Sequence, residues 1–146
     1  YVYKTNKKDF LIKDKTDINI DGDDSDRIHL LLRNIIGENE NDFPKYRLLA
    51  RSIKTETAEA INKDATASKF NIQYSINYIL YNLYKNCKIF NKNITTYSTY
   101  NVKSAGYSFG TDLSKEESIA QNIEKNIYKF IASLNQLSQR DKCNDN

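Results

Sequence analysis

From Phe70 to Leu80 the apolar side chains fall on every second residue: Phe70, Ile72, Tyr74, Ile76, Tyr78 and Leu80. Between them, as far as Asn77, stand Asn71, Gln73, Ser75 and Asn77, all polar and none charged. Alternation over that length predicts a strand with one buried face. Upstream, Tyr46, Leu48 and Ala50 alternate with Arg47, Leu49 and Arg51, which predicts a second strand continuing raggedly through 52–61. "NKDA" at 62–65 is the expected turn between the two. "YKNCK" at 84–88 makes a further hairpin connection. The segment 89–102, rich in Thr, Tyr and Ile, predicts a third long strand.

Two other segments change period. After a short strand around Ile18 and Ile20, "GDDSD" supplies the acidic and hydroxyl residues that suit a helix N-terminus. Ile28, Leu31, Leu32 and Ile35 then form one stripe of a helix over about 25–36, and Gly37 stands where a left-handed C-cap is wanted. Near the end, "SKEE" at 114–117 is a Ser-x-x-Glu capping box, with acids in the first turn. Ile119, Ile123, Ile127, Phe130, Ile131, Leu134 and Leu137 carry that helix to about Ser138. Residues 1–14 read as a polar lead-in and 139–146 as a flexible tail, leaving 15–138 as the folded body of a single domain, 1–146. The order β-α-β-β-β-α predicts an α+β fold. Its economical packing is a two-layer sandwich, with two helices on one face of a four-stranded mixed sheet. The other face, the amide and hydroxyl one, is then uncovered by this chain.

Composition narrows the chemistry. The net charge is +3, a mild basic bias far from the dense Lys and Arg clusters of dedicated nucleic-acid binders. No run approaches the roughly 20 apolar residues that cross a bilayer as a helix. With one histidine, His29, there is no His-based triad, and "GYSFG" lacks the lysine of a phosphate loop. Asp21, Asp23, Asp24 and Asp26 resemble a calcium loop in charge only, since the glycine is misplaced and no glutamate closes the site. Cys87 and Cys143 fit no metal pattern, and composition leaves open two thiols or one bridge. No enzyme constellation, cofactor motif or metal set is present, so binding or assembly is the expected class. The abundance of Asn, Lys and Ile also fits a low-GC coding bias, which is the bland account of an amide-rich face.

Several segments together resemble the LPS-assembly lipoprotein family, LptE, in its alphaproteobacterial branch. "DRIHLLLRNII" at 26–36 is similar to the family's first helix, and "PKYRLLA" at 44–50 to its Tyr-Arg-Leu strand start. "DATASKFNIQYSINYILYNL" at 64–83 resembles the central strand. "TYNV" at 99–102, followed by Tyr107, resembles the entry into the last helix. Phe109 and Gly110 depart from the family's Ala-Thr, and the last helix lacks its Arg-Glu-Arg-Ala run, which blurs where that helix starts.

The resemblance implies a non-enzymatic, periplasm-facing outer-membrane lipoprotein, anchored through an acylated cysteine upstream of Tyr1. Its partners would be lipopolysaccharide and the LPS-translocating β-barrel, LptD, which it plugs. The face carrying Asn71, Gln73 and Ser75 would meet the barrel lumen or sugar hydroxyls, bonding either without burying charge. Lys69 aligns with the family's basic residue and is the first candidate for contact with lipid A phosphates or core sugars. Arg47, Arg51 and Lys103 are expected to join it in one cationic patch. A different class, a single-stranded nucleic-acid-binding module using sheet tyrosines, is kept alive by eleven tyrosines, though no basic-aromatic string accompanies them. In an oxidising periplasm, Cys87 and Cys143 are expected to pair. The third strand and the returning helix span comparable lengths, about 45 Å and about 38 Å, so the helix ends near the hairpin it left.

Overall fold

The computed structural model describes residues 12–61, 67–102, 108–136 and 143. Its elements are β1 (Thr16–Gly22), α1 (Ser25–Ile36), β2 (Tyr46–Ile61), β3 (Ala67–Asn82), β4 (Cys87–Asn101) and α2 (Ser108–Asn135). They form one four-stranded sheet in the order β1-β2-β3-β4. β1 runs parallel to β2 through the α1 crossover, and the other two pairs are antiparallel. This is the mixed α+β sheet that the hydrophobic pattern predicts.

Alternation in β3 is complete: Ile72, Tyr74, Ile76, Tyr78 and Leu80 are buried, while Asn71, Gln73, Ser75, Asn77 and Ile79 stay half-exposed. The buried set meets both helices. Ile28, Leu32 and Ile36 of α1 and Ile119, Ile123, Ile127, Phe130 and Ile131 of α2 join one core with it. At the centre, the Tyr78 ring stacks on Phe130 at 4.1 Å between centroids. Both helices therefore lie on one face, and no described element covers the other.

Four local features differ from the sequence reading. Residues 1–11 lie outside the described part of the expected lead-in, but Ile12 is a core residue. The turn at 12–15 folds under α1, where Thr16 Oγ1 donates to the Ile12 carbonyl at 2.7 Å and the Asp14 amide to the Ile36 carbonyl at 2.9 Å. Gly37 does end α1, with φ 70° and ψ 148°, an extended positive-φ exit instead of the left-handed helical cap. A Cβ there would meet the Asp14 carboxylate, a side chain that can swing aside, so it is the positive φ that favours glycine. At the other end Asp24, the N-cap of α1, makes no side-chain cap, because its carboxylate accepts from the Tyr74 hydroxyl and pairs with Lys54 at 3.6 Å. Finally, α2 starts at Ser108, so Ser114 is internal and "SKEE" is not the cap. No proline interrupts 108–113, and each added residue gains a backbone bond once a helix is nucleated. The turn expected at 62–65, together with Leu137 and Ser138, lies outside the described residues.

Candidate functional site

Two polar surfaces arise from the sheet, one on each face. On the inner face, α2 places Ser118, Asn122 and Asn126 one turn apart, all buried. They stand over Thr96 and Ser98 of β4. Asn122 Nδ2 donates to the Ile72 carbonyl and to Ser98 Oγ, both at 2.9 Å, while its Oδ1 accepts from Thr96 Oγ1 at 2.6 Å. Asn126 Nδ2 donates to the Ile94 carbonyl at 2.9 Å and to Thr96 Oγ1 at 3.0 Å. Its Oδ1 accepts from the Tyr78 hydroxyl at 2.7 Å. This network is satisfied, a structural seam that fixes α2 on the sheet. Sequence reading missed it, because a helical stripe scored on apolar residues passes over two asparagines spaced i, i+4.

The outer face is the candidate functional surface. β-register sets Thr55, Gln73 and Tyr97 in one row across three strands, and Thr57, Asn71 and Thr99 in the next. Ser75 faces Thr95 and accepts from Asn93 Nδ2 at 2.9 Å. Asn71 and Gln73 make no side-chain hydrogen bond to another described residue. Tyr97 is 53% exposed. Amides of this kind can donate and accept at once, so the face can hydrogen-bond a partner in either sense.

The predicted cations do not converge. Lys69 stands at the Ala67 end of β3, partly buried and opposite Asn101. Arg47 pairs with Tyr81 at the far end of the same strand, twelve residues away along β3, which is about 40 Å of strand. Arg47 Nε is also 3.3 Å from Asp17 and Arg51 Nε 4.0 Å from Asp21, so β1 supplies each with a carboxylate. A single patch of four is therefore not formed: β2 is antiparallel to β3, so its start meets the end of β3. Lys103 lies outside the described residues.

Tyr74, Tyr78 and Tyr100 point inward, whereas Tyr97 is exposed. Tyr74 and Tyr78 are fully buried, and burial pushes both phenols above their ordinary range, with Asp24 adding to the effect on Tyr74. Tyr100 is shifted the same way by burial and by its hydrogen bond to Glu56 at 2.6 Å. These rings fill the core and offer no stacking platform.

Cys87 and Cys143 are joined by a disulfide with Cα atoms 5.6 Å apart, closing a separation of 56 residues. The bridge ties the chain beyond α2 to the β3–β4 hairpin. Among the described residues, no three His, Cys, Asp or Glu side chains could hold a metal ion, and no helix is long and apolar enough to cross a membrane.

This geometry defines a two-layer protein with one helix-covered and one open sheet face, and solved structures share it. A candidate lipoprotein from Caulobacter crescentus aligns with a TM-score of 0.62 at 12% identity, over 86% of this chain and 90% of that one. A minor lipoprotein from Acinetobacter baumannii aligns at 0.56 and 13%, over 83% and 90%. A hypothetical protein from Chlamydia trachomatis aligns at 0.54 and 9%, over 84% and 95%. At these identities the likeness shows the fold. No family model matches the chain, and no curated protein does.

Proposed function

We propose that the chain is a non-enzymatic LPS-assembly subunit of the LptE type. It is a lipid-anchored envelope protein on the periplasmic side of the outer membrane, where it plugs the LPS-translocating β-barrel, LptD, and binds lipopolysaccharide. The observation that carries this reading is the uncovered outer sheet face, lined with neutral amides and hydroxyls around Asn71, Gln73 and Ser75. A polar barrel lumen is met by such a face without unpaired charge. Three further features support it. The sequence resemblance runs over about 18–135, two structures of the same fold carry lipoprotein names, and a disulfide suits an oxidising compartment. The burial of Tyr74, Tyr78 and Tyr100 weighs against a nucleic-acid module, since Tyr97 is then the large exposed aromatic on the described outer face.

Co-expression with the LPS-translocating barrel of the same genome tests the assignment. A stable complex that survives purification is expected, and its absence when both chains are folded would contradict the plug role. In LPS titrations Lys69→Asp is expected to weaken binding severalfold with an unchanged far-UV spectrum. Arg47→Glu, far from Lys69 and paired with Asp17, is expected to do less. An unchanged LPS affinity in the double variant would remove the cationic assignment.

A further inference from the structure

The outer sheet face is not uniform. Its β1 side is charged, with Asp17 facing Arg47 and Asp21 facing Arg51. Beyond Arg51 the character changes. The outward positions of β2 from Ile53 to Thr57, of β3 from Asn71 to Asn77 and of β4 from Asn91 to Asn101 carry no formal charge. That is a large neutral area in a chain where 28% of residues are charged. Near its middle stands the exposed Tyr97, beside Gln73 and two positions from Asn71 on the neighbouring strand.

The charge pattern selects among occupants. A phosphate or nucleic-acid backbone calls for converging cations, and among the described outward positions of this half only Lys69, at its edge opposite Asn101, is a cation. An apolar protein partner calls for a contiguous hydrophobic centre, whereas Ile53 and Tyr97 are the large exposed hydrophobics here among the described residues. A neutral polyhydroxyl chain fits both features. Its hydroxyls donate and accept alternately, as primary amides do, and its less polar ring faces can lie on an aromatic ring.

We propose that this neutral half is a docking platform for an uncharged saccharide, with Tyr97 as the stacking surface and Gln73 and Asn71 as paired hydrogen-bonding groups. For the source of that saccharide, the sugar portion of lipopolysaccharide, the inference rests on the function proposed above.

The test is a titration of the isotope-labelled chain with the dephosphorylated oligosaccharide released from delipidated LPS, followed by amide NMR shifts. Shifts grouped on residues 71–75 and 95–99 are expected. Tyr97→Ala and Gln73→Ala should each weaken binding about fivefold, and Tyr97→Phe, which keeps the ring, should retain it. Should Tyr97→Ala not fold, Gln73→Ala and Tyr97→Phe still decide. Shifts located elsewhere, or none at millimolar saccharide, would overturn the platform. Binding of intact LPS that survives Tyr97→Ala and Gln73→Ala but is lost in Lys69→Asp would also overturn it, while leaving the proposed function standing. Free saccharide bound at this face by a chain that forms no barrel complex would uphold the platform and remove the plug role.

Discussion

Asparagines occur in two regions of this molecule under opposite conditions. Asn122 and Asn126 are fully buried between α2 and the sheet, and every polar atom of their side chains has a partner. Asn71, with its neighbour Gln73, lies half-exposed on the other side of the same sheet without an intrachain side-chain partner among the described residues. The side-chain chemistry is the same, so the difference lies in what surrounds it. In the seam, an amide lost leaves several buried groups unsatisfied. On the outer face, an amide lost is replaced by water.

The largest effect should come from putting charge into the seam. Asn126→Asp turns a donor into a carboxylate oxygen facing the carbonyls of Ile94 and Tyr74. We expect a loss on the order of 4 kcal/mol or more near neutral pH. Burial raises the folded pKa of that acid above its unfolded value of about 4. The folded state then binds more protons, so stability falls as pH rises from about 4 through the raised value. Chemical denaturation across that range should show the slope, and Asn71→Asp should show none. A flat profile for Asn126→Asp would mean the seam is wet.

The disulfide acts on the same layer. Removing it with Cys87→Ser and Cys143→Ser is expected to cost up to about 4 kcal/mol, the chain-entropy value for a loop of this length. Intact-mass measurement after alkylation without reductant should find no free thiol in the wild-type chain. Next in size, Asn126→Ala or Asn122→Ala should each cost about 2–3 kcal/mol, because the first takes the acceptor from the Tyr78 hydroxyl and the second takes the nearer acceptor from the Thr96 hydroxyl and the donor from the Ile72 carbonyl. Smallest are Asn71→Ala and Gln73→Ala, expected within about 0.5 kcal/mol of wild type in the isolated chain. An outer-face change as costly as a seam change would abolish the distinction.

The comparison also shows what a sequence can disclose. Strand alternation in β3 was legible because period and burial agree from Asn71 to Leu80, whereas the stripe of α1 was legible in Ile28 and Leu32, with Leu31 and Ile35 only half-buried at its edge and Ile36, left out of it, in the core. The stripe of α2 was legible only in its apolar members. Asn122 and Asn126 look like surface residues until Thr96, Ser98 and Tyr78 arrive from strands far away in sequence. The start of α2 was misplaced for a related reason: a capping box marks where a helix can begin, and Ser108 shows that this one begins earlier. Likewise, Lys69 and Arg47 look close on adjoining strands, but antiparallel register sends them to opposite ends. The uncharged half of the outer face was visible in β3 alone. Its extension over β2 and β4 needed the pairing.

The central claim is that the outer face is a contact surface and not a core. The triple variant Asn71→Lys, Gln73→Lys, Ser75→Lys tests it most directly, with thermal midpoint and yield of barrel complex measured on the same preparation. The account predicts an almost unchanged midpoint together with loss of the complex, since three unpaired cations would face a fitted wall. A variant that fails to fold alone, or one that folds and still assembles with the barrel in full yield, would contradict it.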